Sequence, residues 1–96
     1  TIWKFPLLLT DFQKVEMPKG ATVLAVQMQG QQPCLWAVVN SDDKTEPRGY
    51  WIHGTGNPIE HPGRLGNHIG TFQMHGGSLV WHVFEHRFDG DGGRDG

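Results

Sequence analysis

The stretch Ile69-Gly70-Thr71-Phe72-Gln73-Met74-His75-Gly76-Gly77-Ser78-Leu79-Val80-Trp81-His82-Val83-Phe84-Glu85-His86 decides the fold class. Two segments rich in β-branched and aromatic residues flank His75-Gly76-Gly77, where glycines supply the positive φ of a tight turn. The pattern predicts a β-hairpin. In its second arm Leu79, Trp81 and Val83 alternate with Val80 and Phe84, so both faces of the strand carry large side chains. Such a strand is covered on both sides, either at the centre of a closed sandwich or by another copy of the chain.

The same period of two recurs upstream. In Thr22-Val23-Leu24-Ala25-Val26-Gln27-Met28-Gln29 one face carries Leu24, Val26 and Met28 and the other Val23, Ala25 and Gln27, and a helical stripe would be interrupted by the glutamines. Residues 35–40 follow the short turn Gly30-Gln31-Gln32-Pro33, completing a second hairpin. Residues 48–53 come after the charged, proline-broken segment 41–47 and read as the third strand of a meander. Residues 2–7 and 12–17 read as two shorter strands, and Met17-Pro18-Lys19-Gly20 turns the chain into the Thr22 strand. No segment carries a three-turn helix and no repeat recurs. The expected fold is all-β: a small antiparallel sandwich or barrel of about six to seven short strands.

A chain of 96 residues, 36 % apolar, accommodates one domain and excludes a two-domain cofactor enzyme. Residues 1–88 are expected to form that domain and 89–96 a disordered tail. The formal charge of −2 resides wholly in the tail, Asp89-Gly90-Asp91-Gly92-Gly93-Arg94-Asp95-Gly96, which leaves a neutral body. Neutrality argues against nucleic acid as a partner, because neutralising phosphates takes clustered Lys and Arg. The alternating Asp89, Asp91 and Gly93 lack the later ligands of a calcium loop. No apolar run is long enough to cross a membrane. The single cysteine, Cys34, cannot form an internal disulfide and lies in the apolar run Pro33-Cys34-Leu35-Trp36-Ala37-Val38-Val39, which suits a reducing compartment.

Five motifs together carry a resemblance: Ile2-Trp3-Lys4-Phe5-Pro6-Leu7, Met17-Pro18-Lys19-Gly20-Ala21, Pro33-Cys34-Leu35-Trp36-Ala37, Gly54-Thr55-Gly56-Asn57-Pro58-Ile59, and the hairpin from Ile69 to Phe84. The set resembles a family of small phage-encoded and prophage-encoded proteins classed as a domain of unknown function. The resemblance implies an accessory protein acting in the host bacterial cytoplasm, and carries no catalytic residue with it.

Chemistry is sought first in residues 54–68, an irregular stretch of a length more often functional than inert. Gly54, Thr55, Gly56 and Asn57 can present backbone N–H groups and a hydroxyl to a ligand. His53, Arg64, His68, Gln73 and His75 add donors and a cation, giving a candidate binding set for a small polar, nucleotide-like molecule. His82-Val83-Phe84-Glu85-His86 fits H-x-x-E-H, but that zinc motif requires a helix. On a strand His82 and His86 stand about 13 Å apart, at about 3.3 Å per residue, and share no ion. With no CxxC and no histidine pair in a helical context, no metal, cofactor or catalytic residue is assigned.

The expected function is that of a non-catalytic, homo-oligomeric binding protein. It sequesters a small polar host ligand of nucleotide-like character or blocks a host defence protein. The alternatives are a small histidine-dependent hydrolase, with or without metal, and a virion structural or assembly component.

Overall fold

Period-two alternation with one face in a core is what the chain builds. The computed structural model describes residues 1–87, so the expectations for the acidic tail fall outside the described residues. Seven strands follow one another: β1 (Ile2–Pro6), β2 (Phe12–Pro18), β3 (Thr22–Gln29), β4 (Gln32–Val38), β5 (Thr45–Gly54), β6 (Leu65–Met74) and β7 (Leu79–His86). Short 3₁₀ turns occupy Pro62–Arg64 and His75–Gly77. The strands form two antiparallel sheets, ordered β1-β4-β3 and β2-β5-β7-β6. Among the described residues no helix is long and apolar enough to cross a membrane.

The core fills the space between the sheets. Leu35 and Ala37 of β4 and Val26 of β3 face Tyr50 and Ile52 of β5, Phe72 of β6 and Val83 of β7, with Leu7 and Met17 closing the layer. Cys34 is buried and free. Both predicted hairpins are present: β3 pairs β4, and β6 pairs β7 through a turn in which His75, Gly76 and Gly77 all adopt positive φ.

The meander is not present. β5 leaves the sheet of β3 and β4 and pairs instead with β2 and β7. Its Tyr50 and Ile52 bury themselves from the opposite side of the core, and the polar residues 40–44 carry the chain across. The strand also starts earlier than expected, at Thr45, with Thr45, Glu46 and Pro47 opposite Pro18, Met17 and Glu16. Proline is tolerated there because the pairing with β7 begins only at Tyr50, so Pro47 has a strand on one side alone.

β7 is the interior strand the two-faced alternation allowed, flanked by β5 and β6. The irregular stretch is shorter than read, since β6 begins at Leu65. Bulges between Leu65 and His68 and between His68 and Gly70 break the alternation that would have revealed it. At Gly70 the two sheets pack closely: a Cβ there would lie 2.8 Å from Val26 Cγ1.

Gly70→Ala forces the buried Val26 to yield and should lower the urea midpoint by the equivalent of about 1–3 kcal/mol. Gly63→Ala, with nothing within 4 Å, should stay within about 0.5 kcal/mol. Burial pushes the Tyr50 phenol above its ordinary 10.0, with Arg48 pulling it down and Glu85 adding to the rise. The folded state therefore keeps a proton that the unfolded chain loses. The associated stability is complete below pH 10 and drains away as pH rises through the folded value. Because Tyr50 is the only tyrosine, tyrosinate absorbance should rise at higher pH in the folded protein than in urea.

Candidate functional site

β5 and β6 both run antiparallel to β7 between them, so they run parallel to each other. Their connection, residues 55–64, must travel back along the length of the sheet. It starts beside Val80, whose carbonyl accepts from Thr55 N–H at 2.9 Å, and ends beside Arg87, whose N–H donates to Arg64 O at 2.7 Å. Asn57, Pro58, Glu60 and His61 wall a cleft together with Asp11, Trp51, His53 and Gly54. Trp51 and His53 project from β5 on the side opposite the buried Tyr50 and Ile52. The connection is thus a strap over the outer face of the four-stranded sheet, and the cleft beneath its edge holds about 270 Å³.

That outer face is aromatic. Phe12, Trp51, Phe84 and His68 stand in register across β2, β5, β7 and β6. Phe12 lies 4.6 Å from Trp51 between ring centroids, and His68 lies 5.2 Å from Phe84. Gly49 lets the rings close up, since a Cβ there would come within 2.9 Å of both Phe12 and His86. Trp51 Nε1–H donates to His86 Nδ1 at 3.1 Å. An indole N–H only donates, so His86 Nδ1 offers its lone pair and the ring proton sits on Nε2. His53 stacks on Trp51 at 6.1 Å with the planes 7° apart, and its Nε2 is buried without a hydrogen-bond partner.

Next to this platform runs a chain of hydrogen bonds. Thr55 Oγ1 is 2.7 Å from His82 Nε2, Thr71 Oγ1 is 3.0 Å from His82 Nδ1, and His68 Nε2 is 3.1 Å from the same Thr71 oxygen. Thr71 has one hydroxyl proton for two imidazole partners, so it donates to one ring at most and at least one ring must donate to it. The tautomers of His68 and His82 are therefore coupled. Neither cluster gathers three metal-ligating groups, and no such group occurs among the described residues.

The sequence-derived set divides among several places. His53, Gly54 and Asn57 meet at the strap cleft, while Thr55 and His68 belong to the threonine–histidine chain. Gly56 lies in the turn that opens the strap, at φ 88. Arg64 ends the strap at the opposite end of the sheet. Gln73 and His75 line a separate hollow with Met28 and Met74. Sequence reasoning left Asp11, Trp51, Glu60, His61, Thr71 and His82 out of the candidate binding set. For Trp51 and His82 the signal was present, because each alternates with a core residue and so faces outward. Asp11 had none, since only the β2–β5 pairing brings it there.

Thr71→Val should remove both hydroxyl contacts while costing stability no more than about 1 kcal/mol. Ring-nitrogen NMR shifts of His68 and His82 should both move, and movement of one alone would break the chain as drawn.

The family model described as a domain of unknown function, DUF7352, matches residues 1–92 of the chain. No curated protein and no solved structure matches it.

Proposed function

We propose that this chain, which belongs to the DUF7352 family, is a non-catalytic protein that binds a small, ring-bearing polar molecule of nucleoside type in the cleft between the strap and the sheet. In this reading it is a phage accessory protein that holds a host metabolite or signal away from its receptors in the bacterial cytoplasm. One observation carries the proposal: the cleft wall that Trp51 and His53 form, stacked 7° from parallel, faces a rim of Asp11, Asn57, Glu60 and His61. Flat aromatic surface favours a planar ring, and two carboxylates with an amide favour N–H donors on its edge. The buried, unpaired His53 Nε2 supports the same reading. A polar atom left without a partner costs about 1–3 kcal/mol, so a ligand or a strap movement that satisfies it is favoured.

The threonine–histidine chain does not favour the hydrolytic alternative. Thr55 and His82 are in contact, but no carboxylate orients the imidazole, whose second nitrogen meets Thr71. The cleft is formed by one chain, so binding in it requires no second copy.

Native mass measurement of protein purified from bacteria should reveal a co-purified small molecule, released unchanged on denaturation. Nucleosides should perturb Trp51 fluorescence, and Trp51→Ala should weaken binding at least about tenfold, in keeping with stacking worth about 1–3 kcal/mol per base. Chemically altered product at sub-stoichiometric protein would overturn the reading.

A further inference from the structure

A larger hollow, about 590 Å³, lies at the other end of the sheet, where β5 parts from β7. The last pair in register between those strands is Tyr50 with Glu85, and beyond it the hollow opens among Arg48, Asn67, His86 and Arg87. An adjoining hollow shares Arg48, Asn67 and Glu85 and continues toward Thr22 and Val23 of β3. The strap delivers Arg64 to this end as well, through the bond from Arg87 N–H to Arg64 O. Among the described residues Glu85 is the one carboxylate residue in either lining.

Arg48 is both positioned and loosely paired. Its Nη1 donates to Ala21 O at 2.7 Å, which fixes the guanidinium, while its Nη2 is 3.4 Å from Glu85 Oε2. Charge-assisted bonds of this type are ordinarily about 2.7–2.9 Å, so the ion pair is loose. A guanidinium has five N–H donors, and its contacts with Ala21 O, Glu85 and the Tyr50 phenol leave capacity for an incoming anion. The side chains of Arg48 and Glu85 are 23 % and 31 % exposed, so the pair is within reach of solutes.

Charge therefore differs between the strap cleft on the outer face and the far hollow, into which Arg48 and Glu85 project from the inner side of the sheet. Among the described residues the strap cleft is lined by Asp11 and Glu60 and by no Lys or Arg, while the far hollow is lined by Arg48 and Arg87 against Glu85. They adjoin at one hydrogen-bonded pair: Trp51 lines the first, His86 lines the second, and the two rings lie 6.0 Å apart. A ligand with a donor-rich ring and an anionic substituent matches that order of charges.

We propose that the hollow at Arg48, Asn67 and Arg87 is an anion site for a phosphate or carboxylate. Resting on the reading given above, it makes the ligand a nucleoside phosphate, with its ring under the strap and its phosphate at the arginines. Asn67 supplies an amide donor, and Arg87, exposed at the rim, supplies the charge most free to move onto the ligand.

The test titrates the whole chain with inorganic phosphate, then with a purine nucleoside and its 5′-monophosphate, following backbone amides by NMR at fixed ionic strength. Phosphate should give saturable shifts at residues 48–50, 66–67 and 87, and Arg87→Gln should weaken them severalfold. The monophosphate should bind about tenfold or more tighter than the nucleoside, as a charge-assisted bond predicts. Arg87→Gln should reduce it to the nucleoside's level. Shifts that do not saturate, that chloride reproduces, or that Arg87→Gln leaves unchanged overturn the anion site. A nucleoside that binds under the strap with no gain from its phosphate overturns it too, and leaves the ring reading standing. Saturable phosphate binding with no nucleoside binding supports the anion site and sinks the ring reading.

Discussion

The position of β7 governs the rest of the molecule. Hydrogen bonds on both its edges force β5 and β6 to run parallel, and parallel neighbours cannot be joined by a tight turn. A crossover is required, and residues 55–64 are too few and too rich in Gly and Pro to make it a packed helix. The connection becomes a strap instead, with Pro62–Arg64 as its single helical turn. Once the strap lies over the outer face, Trp51 and His53 acquire a roof and the sheet acquires a cleft. Had β7 occupied an edge, β5 and β6 could have met in a hairpin, and the aromatic face would have had no wall.

The local features of this fold were legible and the non-local ones were not. β3 with β4 and β6 with β7 are hairpins whose partners lie a turn apart, so alternation and turn chemistry sufficed. The passage of the chain from β4 to β5 was hidden because a polar loop such as residues 40–44 reads the same whether it reverses within one sheet or crosses to another. Length drew attention to the strap, but its far boundary was overestimated because Gly66 and Gly70 and two bulges erase the period of β6. In the candidate site His53, Gly54 and Asn57 were found because they are close in sequence. Asp11 could not be found, because it arrives through the register of β2, with Ile52 N–H donating to Asp11 O. The two apolar faces of β7 likewise have an intramolecular explanation: Val83 enters the core, and Phe84 joins a cross-sheet aromatic row.

The H-x-x-E-H string shows how secondary structure converts one set of residues into different chemistry. On a helix it would gather two imidazoles and a carboxylate around one ion. On β7 the alternation sends Glu85 inward to Arg48 and leaves His82 and His86 outward, each with its own partner. His82 is held between two threonine hydroxyls and His86 receives the Trp51 indole N–H. These contacts orient imidazoles for hydrogen bonding, and they divide the histidines between the two ends of one face rather than concentrating them.

β7 is also the last strand of the described chain, and that gives its central place a consequence in time. During synthesis from the N-terminus, β5 and β6 leave the ribosome before the strand that joins them. Until His86 has cleared the exit tunnel, both would present open pairing edges, and the apolar floor formed by Ile52 and Phe72 would be split by a gap one strand wide. Nascent chains in that condition are exposed to capture by a neighbouring chain's β7, an exchange that satisfies the same hydrogen bonds. The interval is set by translation, which at about 5–20 residues per second needs on the order of a second to add the three-residue turn and β7, after which the hairpin closes in microseconds. Brevity of linkage between the sixth and seventh strands thus works as kinetic protection during biogenesis.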